Sequence, residues 1–190
     1  MTETEPEVLP ARGKTLIWIA RYSQILTFLF AQAVSVVACI TLFLMLSGDK
    51  PEKQADPTEV IAMVGVGFLL LMLSVIYMVL VVRLTLPKAL QTYSQSGDNP
   101  ILPIRTDESL SKPLESLLLA FISATHKMQA LFFASATINL ILIYFDESWF
   151  HLFLAFMSVF SIVWLTPTVG RLARFVQRGL DLHREPEASV

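Results

Sequence analysis

Ionisable side chains are missing from four long stretches, residues 25–46, 60–82, 128–145 and 150–170, which cover 84 of the 190 positions without one Asp, Glu, Lys or Arg. The remaining 106 residues hold all 30 charges, which is an ordinary soluble density. Such segregation argues against a soluble globular domain and against a disordered chain. A net charge of −2 provides no basic field for nucleic acid. Cys39 is the only cysteine, so an intrachain disulfide and a multi-cysteine metal site are excluded. It is expected to be a small buried apolar residue.

Catalytic signatures are absent as well. The chain contains no G-x-S-x-G, no Walker A, no H-E-x-x-H and no G-x-G-x-x-G. The Asp107-Glu108 and Asp146-Glu147 pairs have no evident basic or histidine partner for acid–base work, so both read as helix ends or solvated turns. No cofactor and no metal is expected. His126 and His151 are expected near opposite faces of a membrane, too far apart for a shared haem, and His183 lies in the tail. All three read as interfacial histidines.

What the chain does contain is length in its apolar runs. A bilayer core of about 30 Å needs about 20 apolar residues, and lipid leaves backbone groups no partner except within a helix. The stretches of 22, 23, 18 and 21 residues therefore predict four spans. The expected fold is an all-α, integral membrane four-helix bundle, two helical hairpins with N- and C-termini cytoplasmic and helices extending beyond the bilayer on that side. Residues 1–13 form a flexible acidic tail, 14–182 a single transmembrane domain with a cytoplasmic loop at 95–113, and 183–190 a C-terminal tail. Ala31-Gln32-Ala33 matches a small-x-small cleavage pattern, but the apolar run continues to Leu46, so an uncleaved first span is expected.

Orientation follows from basic residues. The N-terminal segment, the middle segment and the tail collect 12, and the two outer connections collect 2, namely Lys50 and Lys53. Aromatic residues Tyr144, Phe145, Trp149 and Phe150 flank the short outer turn, as an interfacial belt would. A bacterial cytoplasmic membrane is the expected location.

The third helix should start at a Ser111 cap with Pro113 in its first turn and run to Phe145, 32 residues or roughly 48 Å from Leu114. Its apolar segment 117–124 and residues 16–19 of the first helix would then project past the lipid, and mutual packing of these ends is the economical solution. Pro87 should kink or end the second helix. The two halves also permit an alignment of residues 16–34 with 119–137, and of the segment ending at Pro87 with that ending at Pro167, which raises an internal duplication.

Gln32 and Asn139 are the strongest polar side chains expected at depth, with Ser35, Ser74, Thr137, Ser158 and Ser161 as weaker sites. Interhelical hydrogen bonding is their expected role. Ala31, Ser35 and Cys39, and again Ala130 and Ala134, repeat at helical spacing and are expected to pack within the bundle, with a homodimer seam as the alternative. After Pro167, Arg171, Arg174 and Arg178 fall within about 60° on a helical wheel, opposite Val169, Leu172, Val176 and Leu180. This basic amphipathic helix is suited to anionic lipid headgroups.

The expected function is a non-enzymatic accessory or assembly component whose partners are the bilayer, anionic headgroups, another membrane protein or a second copy. The alternative is a small transporter or channel with a neutral polar cavity between spans one and three, near Gln32 and Asn139. A lipid-directed enzyme using His126 and Lys127 ranks last.

Overall fold

The computed structural model describes residues 14–47, 56–98 and 107–184. The acidic tail at 1–13, the middle of the loop before span two, the centre of the loop at 95–113 and the tail from 185 lie outside these. Every described element is helical: α1 Leu16–Leu46, α2 Pro57–Leu80, a π-turn Val81–Thr85, α3 Leu86–Ser94, α4 Lys112–Asp146, α5 Trp149–Trp164 and α6 Val169–Arg184. Three helices are long and apolar enough to cross a membrane, or four if α5 and α6 count as one span across a 63° bend. The molecule is thus compatible with an integral membrane protein.

Local chemistry sets the helix starts. The Thr15 hydroxyl accepts from the Trp18 amide. Asp56 and Glu59 form a reciprocal capping box, with Pro57 in the first turn where its missing N–H costs nothing. Ser111 caps α4 as expected, accepting from the Leu114 amide at 3.4 Å. Thirty-five residues make α4 roughly 52 Å long.

Pro87, after the second apolar run, and Pro167, within the fourth, each disturb a helix, in different ways. Pro87 would drive its ring into the Arg83 carbonyl of a regular turn. The chain widens instead: the Leu86 amide bonds to the Val81 carbonyl, and the helix then continues through α3. At Pro167 the helix breaks, since the preceding Thr166 is disfavoured in helical conformation. The fourth expected span, 150–170, therefore ends at Trp164 and leaves α5 at 16 residues, roughly 24 Å.

α4 is the central helix. It packs against α1, α2, α3, α5 and α6, whereas α1 and α2 make almost no contact with each other. The first expected hairpin is therefore open, while α4 and α5, joined by Glu147 and Ser148, pack closely. Glu147 adopts a left-handed conformation (φ 52°) to close that turn. We call this the turn end, and the opposite one, carrying α6, the basic end.

Two main apolar cores result. At the basic end Leu16, Ile19, Leu118, Leu172, Val176 and Leu180 are buried together. The apolar face of α6 is therefore covered by its own chain, and the projecting ends of α1 and α4 pack on one another. The other core joins Val34, Leu71, Phe132, Leu140, Leu154 and Ile162 between α1, α2, α4 and α5. Outward, α1 presents Ile25, Phe28, Leu29, Val36, Ile40 and Phe43 with roughly half or more of each exposed.

Candidate functional site

Polar groups gather in three places. At the turn end, Asn139 of α4 and His151 of α5 are fully buried. Asn139 Nδ2 donates to the Ser135 carbonyl at 2.9 Å and to the Gly67 carbonyl of α2 at 3.4 Å. Its Oδ1 lies 2.8 Å from His151 Nδ1. On the far side of the ring, His151 Nε2 lies 2.8 Å from Asp146 Oδ2, and neither side chain has exposed surface. Asp146 Oδ1 accepts from the Ser148 amide at 2.9 Å. The packing requires glycine at 67, because a Cβ there would sit 2.2 Å from Asn139 Oδ1 and 3.0 Å from His151 Nδ1.

Two expectations are corrected here. His151 is a buried, doubly bonded residue and not an interfacial one. Asp146 has a histidine partner that was not anticipated, because a five-residue spacing across a turn folds the end of α4 over the first turn of α5. Asn139 does make the interhelical contact expected of it.

The second network lies nearer the basic end. Gln129 is buried, and its Nε2 donates to Thr27 Oγ1 of α1 at 2.9 Å and to the Ile162 carbonyl of α5 at 3.1 Å. Its Oε1 has no partner among the described residues. Ser23 Oγ of α1 lies 2.7 Å from His126 Nε2 of α4. Thus Gln129, and not Gln32, joins α1 to α4 and α5. Gln32 is exposed, and the hydrogen bonds of Asn139 among the described residues go to Ser135, Gly67 and His151 instead. The spacing of Gln129, Phe132, Ala136, Asn139 and Ile143 along one helix face is the signal that marks Gln129 as inward.

Other small and polar residues also differ from expectation. Cys39 is exposed on α1, as is Ser35. Ala130 and Ala134 are exposed on α4, so these stripes are not packing seams within the chain. Ser35, Ser74 and Ser161 bond back to carbonyls four residues earlier in their own helices. Ser158, by contrast, reaches another helix, donating to Ser135 Oγ at 3.2 Å.

The third place is a cleft of about 540 Å³ at the basic end. One wall is apolar, formed by Val82, Leu86, Leu90, Phe121 and Phe175, and the rim carries Arg171, Arg174 and Arg178. Arg171 is partly committed: its guanidinium donates to the Trp164 and Thr166 carbonyls at the end of α5 and lies 5.7 Å from the Trp164 ring. Among the described residues Arg174 uses only Nε, donating to Gly170 at 3.2 Å. Arg178 makes no ion pair among the described residues. Beside the cleft, Asp98 ties α3 to α4, accepting from Tyr93 at 3.2 Å and from Ser111 at 2.5 Å. Burial, and then the Asp98 carboxylate, push the Tyr93 phenol above its ordinary range.

Among the described residues no three His, Cys, Asp or Glu side chains are grouped as a metal site would need. No protein-family model matches the chain, and neither a curated protein nor a solved structure resembles it.

Proposed function

We propose that this is a multi-pass, non-enzymatic protein of the cytoplasmic membrane, with both termini and the basic end on the cytoplasmic side, and that its cleft binds the headgroup of an anionic lipid. The observation that carries this reading is the cleft itself. Two guanidiniums with spare donors, Arg174 and Arg178, stand one turn apart over an apolar wall. Like charges at that spacing repel unless an anion lies between them. A phosphate bridges them, and its acyl chains continue along Val82, Leu86 and Phe121.

Depth supports the same placement. If about 30 Å of α4 sits in lipid, the rest reaches past it, and the cleft falls near the headgroups. The charge count supports an inside orientation for that face. Assembly with another protein draws less support, because the apolar extensions at the basic end cover one another. Transport through a cavity at Gln32 and Asn139 draws less still, since Gln32 is exposed while Asn139 is buried against Gly67 and His151.

The test is binding of short-chain fluorescent phosphatidylglycerol and phosphatidylcholine to the full chain in neutral nanodiscs. An arginine near a membrane surface is worth about 1 kcal/mol. R174Q/R178Q should therefore weaken anionic binding by roughly 30-fold while thermal stability stays unchanged. Equal affinity for the two lipids, or no loss in the double variant, overturns the reading.

A further inference from the structure

The hydrogen bonds around His151 leave little freedom for its protons. Asn139 Nδ2 faces two carbonyl oxygens, of Ser135 and Gly67. Turning the amide over would set its oxygen against both, so Oδ1 is the atom that faces His151 Nδ1 at 2.8 Å. An amide oxygen only accepts, hence Nδ1 carries a hydrogen. Flipping the ring would place carbon atoms against both partners. The other contact, Nε2 to Asp146 Oδ2 at 2.8 Å, then needs a hydrogen of its own, since otherwise a nitrogen lone pair would face a carboxylate inside an apolar surround.

We infer that Asp146 and His151 form a buried proton-binding site, occupied by one proton shared in the Oδ2–Nε2 contact, and that this proton holds α5 to α4 and, through Asn139, to Gly67 of α2. The pair is neutral overall whether that hydrogen rests on nitrogen or oxygen, which is how an aspartate and a histidine with no exposed surface avoid a net buried charge. Removing it leaves one negative charge and breaks the contact. Among the described residues no lysine or arginine forms an ion pair with Asp146. The facing groups are Asn139, Gly67 and Ser148. Glu147 and Tyr144 are the neighbouring ionisable side chains on the turn and on α4. The carboxylates of α2, Asp56 and Glu59, sit in or before its first turn, and α1 has no basic residue in its last turn.

The experiment uses the full chain in detergent. Nitrogen NMR of ring-labelled histidine, with His151 assigned by its loss in H151Q, should show Nδ1 protonated at neutral pH. A spectrum with Nδ1 bare and Nε2 protonated overturns the site. In D146N the new amide can donate to Nε2 while its oxygen still accepts from Ser148, giving a neutral pair that needs no shared proton. D146N should therefore leave the melting midpoint close to that of the wild type. A marked gain in stability, the result expected if a bare carboxylate faced a bare ring nitrogen, overturns the proposal. Should D146N not fold, the NMR tautomer of the wild type decides alone.

Discussion

Asp146 and His151 at the turn end have no exposed surface and both contacts of the ring engaged, whereas Arg174 and Arg178 at the basic end rim an open cleft with donors to spare. The difference concerns what each charge was placed to do. A charge that is buried must be neutralised by its own chain, so the turn-end groups are chosen by α2, α4 and α5 together and are intolerant of change. A charge at a rim keeps its hydration and some of its donors, so it is available to an outside anion and tolerates removal. The same chain therefore uses ionisable residues as internal ties at one end and as an external surface at the other.

The sharpest way to break this comparison is through glycine. G67A should destabilise by about 3 kcal/mol, because its Cβ would meet Asn139 Oδ1 at 2.2 Å and the turn-end network would have to part. G65A, two residues away with nothing within 4 Å of its Cβ, should be neutral or gain up to about 1 kcal/mol from helix propensity. Detergent melting of the two variants checks both. Equal stability would mean that the turn end is as permissive as the rim.

A smaller effect is expected at the second network. Q129L removes two donors, to Thr27 and Ile162, but also removes a buried oxygen that has no partner. Interhelical bonds in lipid are worth about 0.6–2 kcal/mol. The net cost should be about 1 kcal/mol, read as a lower melting midpoint. A loss as large as that of G67A would show that Gln129 is as tightly committed as the turn end.

Much of the architecture was legible in composition and punctuation. Charge-free runs located the long helices, Ser111 and Pro113 located the start of α4, and Pro87 and Pro167 located the two disturbances. The wheel placed Arg171, Arg174 and Arg178 together, as they are found in the cleft. Facing was the part that could not be read. A helix meant for lipid is apolar all round, so periodicity does not say which side is inward. That is why Cys39 and Gln32, chosen by chemistry alone, prove exposed, and why Gln129 was passed over. The Asp146–His151 contact was hidden for another reason. Only Asp, Glu, Lys and Arg define a charge-free run, and His151 stands inside one of them, its partner lying across a turn. A run that is charge-free by that count therefore says nothing about histidine.

Gln32 gives the smallest expected effect and the cleanest contrast with Asn139. It is exposed on α1, where Phe28, Leu29 and Val36 also face outward. In an apolar solvent an outward amide has nothing to gain from its position, so Q32L should change the melting midpoint by no more than a surface substitution does, within about 0.5 kcal/mol. N139L should cost several times that, since it strips the Ser135, Gly67 and His151 contacts at once. If Q32L instead weakened the protein by more than about 1 kcal/mol, the outward face of α1 would have a polar partner supplied by another molecule. Cross-linking through the exposed Cys39 on the same helix would then identify whether that molecule is a second copy. An unchanged midpoint, together with a monomeric protein, leaves α1 as a helix whose outer face meets only lipid, and keeps the polar commitments of the chain on α4.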